Sequence, residues 1–153
     1  MGGTIVCGVN EGAGNCEVAE LAAALGERLG LRLVLVHVVD GVASFAPDSV
    51  TGRQRQSGAE RMLDQVARGV GGAETRVVIG HRGDALAAVA AEEGADLIVL
   101  GSSASGLRKK MLRSELSREL ESATTVPVLV APPSTRTRSG RRLATEFELA
   151  SGA

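Results

Sequence analysis

The chain has 153 residues, of which 44% are hydrophobic and 23% charged, and its formal net charge is −1. This length suits one domain with a full core, and no apolar run approaches the ~20 residues of a membrane-spanning helix. A nearly neutral chain without Trp or Tyr lacks both the overall positive charge and the stacking side chains of nucleic-acid-binding proteins, so nucleic acid is not an expected partner.

Apolar runs and helical patterns alternate along the chain with short connections. In chain order they predict strand 1 at Thr4–Val9, a helix at Glu17–Leu29, strand 2 at 31–39, a helix at Arg53–Gly69, strand 3 at Thr75–Ile79, a helix with Asp84 as its N-cap, strand 4 at Asp96–Leu100, a helix at Leu112–Ser122 and strand 5 at Val126–Ala131. This alternation implies right-handed crossovers and a single doubly wound parallel sheet, a Rossmann-like α/β fold.

The composition changes after Pro132 to Ser, Thr, Arg and Gly. We therefore expect an α/β domain at residues 1–132 and a polar, Arg-rich tail at 133–153. The amino terminus has neither the basic start nor the cleavage site of a signal peptide, so the cytoplasm is the expected location. Cys7 falls in a predicted buried strand, and a structural disulfide with Cys16 is not expected.

No pattern of residues typical of catalysis or metal binding is recognisable, so an enzyme is not expected. His37 lies among apolar residues of strand 2, which favours a hydrogen-bonded core histidine over a ligand. His81 precedes Arg82-Gly83-Asp84 at a strand end, where a turn-stabilising role is the simpler interpretation. Cys16, near the start of the first predicted helix, supports a redox-sensing hypothesis if its thiol is exposed.

The segment 95–132 is the most informative part of the chain. It reads ADLIVL, then the loop GSSASGLRKKMLRSE, then a helical pattern, then the strand VPVLVAP. Open α/β sheets bind ligands at such turns, at the carboxyl ends of parallel strands.

Together with IVCGVNEG near the start, HVVD in strand 2 and GD before the third helix, this segment resembles the universal stress protein family. The resemblance extends from about Gly3 to Pro132. It implies a five-stranded parallel sheet in the order 3-2-1-4-5, the adenine nucleotide alpha hydrolase-like arrangement, and a homodimer. One branch of the family binds ATP through the pattern G-x2-G-x9-G-[ST], so a resemblance to that branch would also imply ATP binding.

Only the first glycine of that pattern, Gly101, is retained here. Ala104 and Ser114 stand at the other two glycine positions, and Glu115 stands at the hydroxyl position. A phosphate loop needs the close backbone approach and positive φ that glycine allows. A carboxylate about 4 Å from a phosphate repels it by ~1 kcal/mol in water-like surroundings. The acidic residue that the resemblance places after strand 1 is Asn10, a neutral and weaker partner for a ribose hydroxyl.

The candidate nucleotide-binding positions form one set, which is degenerate for ATP. They are Val9, Asn10, Val38, Gly101, Ser102, Ala104, Ser114 and Glu115. The favoured hypothesis is a regulatory or interaction module of the stress response, with an unknown protein partner and no cofactor. The alternative is a nucleotide-binding member that takes ATP with Mg²⁺ through a diverged loop, aided by the basic cluster at 108–113.

Strand 5 is the predicted dimer interface. It is apolar throughout, and in the implied order it lies at a sheet edge, where Pro127 at its start is tolerated. No Lys, Glu or bulge discourages pairing with another edge, so we expect a two-fold related strand against Val126, Val128 and Val130. The tail beyond residue 133 is the competing cover for this edge.

Overall fold

The computed structural model describes residues 2–10, 15–40, 50–101 and 116–131. In chain order its elements are β1 Thr4–Gly8, α1 Asn15–Leu29, β2 Arg32–Asp40, α2 Val50–Gly69, β3 Glu74–Gly80, α3 Arg82–Glu92, β4 Ala95–Gly101 and β5 Val128–Ala131. Residues 116–123 are also helical and are called α4. No helix within these ranges is long and apolar enough to cross a membrane.

The five strands form one sheet in the order β3-β2-β1-β4-β5, and every neighbouring pair is parallel. The predicted doubly wound sheet and its order 3-2-1-4-5 are therefore confirmed. β1 lies at the centre, where Ile5 is in register with Leu33 of β2 and Leu97 of β4. β3 and β5 lie at the two edges.

Two apolar layers cover the two faces of the sheet, because side chains alternate between the faces along each strand. On β1, Ile5 and Cys7 join the layer formed with α1 and α2. Val6, between them, joins the layer formed with α3 and α4, in which Leu86 and Leu120 are buried. Strands 2 and 4 are apolar on both faces for this reason.

The element boundaries differ from the predicted ones by up to three residues, and one predicted cap is wrong. Asp84 is not the N-cap of α3, because the helix begins two residues earlier and His81 occupies the cap position. The His81 side chain makes no capping bond, and its carbonyl accepts the first helical bond from the Ala85 N–H at 2.8 Å. Asp84 instead lies in the first turn, where a carboxylate suits the helix dipole.

Ion pairs join β2, β3 and the end of α3 at the amino end of the sheet. Arg32 contacts Glu74 and Glu93, the latter at 2.6 Å. Arg76 contacts Glu92 at 2.7 Å and Glu93 at 3.2 Å. The hydrogen bond from Arg32 is the main cause that lowers the pKa of Glu93, and the hydrogen bond to Glu92 chiefly raises the pKa of Arg76.

Candidate ligand-binding cleft

A cleft lies at the carboxyl end of the sheet, beside β1, which pairs with β2 on one side and β4 on the other. This is the switch point at which open α/β sheets bind ligands. The cleft-lining residues are Gly8, Val9, Asn10, Val36, Val38, Arg82, Leu86, Leu100, Gly101 and Leu116. The space between them is about 350 Å³ when the open solvent at its mouth is included.

The structure brings four of the predicted site residues together. Three separated segments of the sequence contribute residues to the cleft lining: Val9 and Asn10, Val38, and Gly101. The other four predicted positions, Ser102, Ala104, Ser114 and Glu115, lie outside the described residues. Whether these residues bind a nucleotide stays a prediction.

Hydrogen bonds on both sides of Val9 fix the chain where β1 ends. The Val9 N–H donates to the Val36 carbonyl at 2.8 Å. The Val9 carbonyl accepts from Nδ1 of His37 at 2.7 Å, and the His37 side chain is buried. The structure thus gives His37 the role of a hydrogen-bonded core residue, as its sequence context predicts. Because these two hydrogen bonds hold the backbone at Val9, the position of the next residue, Asn10, is constrained at the edge of the cleft.

Two glycines allow the close packing around the base of the cleft. A Cβ at Gly101 would lie 2.5 Å from Cγ2 of Val18 in α1, and one at Gly8 would lie 3.0 Å from Cδ2 of Leu100. A side chain at Gly101 would therefore clash with α1, whereas one at Gly8 would require the end of the Leu100 side chain to shift slightly. Packing against Val18 gives Gly101 a structural purpose that is independent of any phosphate loop.

Sequence reasoning missed the contributions of α3 and α4 to the cleft. Arg82 and Leu86 come from the first two turns of α3, and Leu116 comes from α4. β3 lies at the sheet edge, but α3 packs back over β1, β2 and β4. Arg82, which follows β3 by two residues, therefore reaches the central cleft. The crossover direction was the available signal, since helices in such folds return across the sheet.

Arg82 is the one charged side chain among the described residues that line the cleft. Its neighbour His81 lies 3.5 Å, Nδ1 to Oε2, from Glu119 of α4. A Cβ at Gly83 would lie 2.8 Å from the Glu119 Cβ, so the start of α3 and α4 are in close contact. His81 thus contacts a neighbouring helix as well as occupying the turn.

The two cysteines differ sharply in environment. Cys7 is completely buried in β1, and burial raises the pKa of its thiol to about 12. Cys16 is exposed in the first turn of α1, the exposure that the redox hypothesis requires. No group of three or more potential metal-ligating His, Cys, Asp or Glu side chains occurs within the ranges that the structure describes.

Comparison with known proteins identifies the group to which this arrangement is similar. The model of the universal stress protein family matches residues 1–132. Comparison with curated protein sequences gives no significant match.

Three solved structures share the fold. The universal stress protein UspA from Lactobacillus plantarum is 17% identical, with a TM-score of 0.71 over 86% of this chain and 99% of its own. A universal stress protein from Archaeoglobus fulgidus in complex with dAMP is 20% identical, with a TM-score of 0.60 over 84% and 96%. A universal stress protein in complex with cAMP is 22% identical, with a TM-score of 0.63 over 86% and 98%.

Proposed function

The chain belongs to the universal stress protein family, and we propose that it is a cytoplasmic regulatory or interaction module of the stress response that does not bind ATP tightly. The observation that carries the proposal is the triple departure from the phosphate-loop pattern at Ala104, Ser114 and Glu115. With no glycine at positions 104 and 114 and no hydroxyl at position 115, the loop lacks the close-approach residues that a triphosphate needs. Glu115 adds a negative charge that repels phosphate.

The melting temperature in the presence of ATP tests this proposal directly. We expect millimolar ATP with Mg²⁺ to leave the melting temperature of the full chain unchanged. Ligand at ~100 times its dissociation constant would stabilise the fold by ~2.7 kcal/mol, an effect that a thermal scan detects easily. A clear upward shift would contradict the argument from the loop.

Restoring the family pattern provides the complementary experiment. The triple change Ala104→Gly, Ser114→Gly and Glu115→Ser should create ATP-dependent stabilisation where the natural sequence shows none. The single change Glu115→Gln, which removes the charge without restoring a glycine, is the matched control and should give a smaller gain. No gain in the triple variant would mean that the loop is not what limits ATP binding.

Nucleotide binding with a diverged loop is the second candidate function. The observation that favours it is that Val9, Asn10, Val38 and Gly101 line one cleft at the switch point of the sheet. The proteins of similar fold include one solved with dAMP and one solved with cAMP. Each of these ligands carries a single phosphate, so a cleft without a triphosphate loop is compatible with this class.

The proposed module is a homodimer that pairs through β5. β5 lies at the edge of the sheet, and Leu129 and Val130 remain 39% and 37% exposed in the single chain. Val126, which precedes the strand, and Val128 are half-buried and pack against the layer that contains α3. Of the residues predicted for the interface, Val130 is thus the one whose substitution should disturb association without disturbing the core.

Sedimentation of matched variants tests the dimer. We expect the full chain to sediment as a dimer and Val130→Lys as a monomer, because a charge on an apolar edge opposes pairing. Ile79→Lys, at an exposed apolar position on the opposite edge strand β3, is the control and should remain dimeric. A monomeric full chain that dimerises only when it ends at Pro133 would identify the tail as the cover.

A further inference from the structure

Among the described residues, Arg82 has no partner that accounts for a charged residue at this position. It is exposed, and in the described part of the chain no carboxylate pairs with it, whereas Arg32 and Arg76 each contact two. It is also the first residue of α3, where a positive charge opposes the helix dipole. Within the described part of the chain, neither ion pairing nor helix electrostatics therefore explains the guanidinium.

The surroundings of Arg82 favour a ligand with one anionic group and an apolar or ring-shaped body. The other cleft-lining side chains in the described ranges are apolar, apart from Asn10. Val38, Leu86 and Leu116 offer an apolar wall to the body of a ligand, and Asn10 offers an amide to a hydroxyl group. A guanidinium binds the oxygens of a phosphate with two parallel hydrogen bonds.

We infer that Arg82 is the anion-binding residue of this cleft and that it makes the cleft select an organic monophosphate. This inference rests on the second candidate function, that the cleft is a ligand site of the nucleotide class. The start of α3, and not the loop after β4, then supplies the phosphate contact. A triphosphate gains no more from this arrangement than a monophosphate does, because one guanidinium pairs with only one phosphate group at a time and the described cleft-lining residues offer no second cation for the remaining phosphates.

Adenosine and AMP are suitable probes because they differ by one phosphate group. Calorimetric titration of the full chain should show AMP binding about fivefold or more tightly than adenosine, the gain expected for one solvent-accessible charged contact. Arg82→Gln should reduce this ratio to about one and leave adenosine affinity unchanged. Arg82→Lys should retain part of the preference, because the charge remains but the paired hydrogen bonds are lost.

Arg68→Gln is the matched control. Arg68 is an exposed arginine in the last turn of α2 and does not line the cleft, so its loss should leave the AMP-to-adenosine ratio unchanged. Far-ultraviolet circular dichroism of each variant establishes that it is folded. A ratio that survives Arg82→Gln would overturn the inference, and so would a natural chain that binds neither AMP nor adenosine at millimolar concentration.

Titration of ATP with Mg²⁺ separates this inference from the proposal about the loop. Tight ATP binding that equals AMP binding and is lost in Arg82→Gln would support Arg82 as the anion-binding residue, but it would refute both the selection of a monophosphate and the proposal that ATP is not bound tightly. Tight ATP binding that is unaffected by Arg82→Gln would overturn both. Weak ATP binding beside an Arg82-dependent AMP preference would support both.

Discussion

The two ends of the sheet use their arginines in opposite ways. At the amino end, Arg32 and Arg76 each contact two carboxylates, and Glu93 is shared between them. At the carboxyl end, Arg82 lines an apolar cleft and pairs with no carboxylate of the described residues. A charge that is satisfied within the chain contributes to holding the chain together. A charge left beside an apolar cleft is available to a ligand.

Helix α3 connects these two ends and carries an unfavourable charge at each. Glu92 and Glu93 lie at its carboxyl end and Arg82 at its amino end, and both placements oppose the helix dipole. At the carboxyl end the two arginines of the neighbouring strands compensate for the glutamates. At the amino end the nearby described carboxylates are Asp84 in the same turn and Glu119 of α4, which contacts His81, and neither of them pairs directly with the guanidinium of Arg82.

Of the substitutions considered, Gly101→Ala, at the carboxyl end of the sheet, should lower the free energy of unfolding the most. The new Cβ would lie 2.5 Å from Val18 Cγ2, and overpacking of this kind costs about 1–3 kcal/mol of unfolding free energy. Chemical denaturation measures the loss. Gly58→Ala is the control, since nothing lies within 4 Å of a Cβ placed there, and replacing an exposed glycine inside a helix should stabilise by ~0.5–1 kcal/mol.

The double variant Gly101→Ala with Val18→Ala identifies the cause of that loss. Removing the Val18 methyl groups relieves the clash, so the double variant should be more stable than the sum of the two single changes predicts. Strict additivity would show that Gly101 is needed for a reason other than its contact with α1. A loop that requires glycine for its backbone conformation would be the alternative.

Glu93→Gln should lower the free energy of unfolding, because it removes ion pairs at the amino end of the sheet, and the size of the loss should depend on pH. The pKa of Glu93 lies below its ordinary value of 4.5 in the folded chain, chiefly because of the bond from Arg32. The stabilisation is therefore complete above about pH 4.5 and is lost as the pH falls through the folded-state pKa. We expect the variant to be less stable than the natural chain at pH 7, and the difference to shrink on acidification.

Urea denaturation at pH 7 and at about pH 3.5 measures this convergence. Glu60→Gln is the control, because Glu60 is exposed on α2 and belongs to no ion pair in the described structure. A Glu93→Gln variant whose deficit is independent of pH would show that the glutamate acts through packing and not through its charge.

Local patterns were sufficient to predict the strands and a parallel doubly wound sheet, and insufficient to predict the whole cleft. The strand order, which brings Val9 and Asn10 beside Gly101, was implied by the resemblance to the universal stress protein family. Arg82 was assigned to a turn because its three-dimensional position depends on the path of α3 across the sheet. The wrong cap at Asp84 has a similar cause: capping motifs indicate where a helix can start, but α3 starts where β3 ends.

Arg82→Gln should have the smallest effect on stability, and this makes it the most direct test of the contrast between the two ends. Removing a cation that pairs with no described carboxylate from the first turn of a helix relieves an unfavourable interaction with the dipole worth ~0.3–1 kcal/mol. We therefore expect the unfolding free energy to stay the same or to rise slightly, as measured by urea denaturation. Arg76→Gln is the matched comparison and should lower it, because it leaves Glu92 unpaired and removes one partner of Glu93. If Arg82→Gln destabilises the chain as much as Arg76→Gln does, Arg82 is a structural residue and the difference between the two ends of the sheet does not hold.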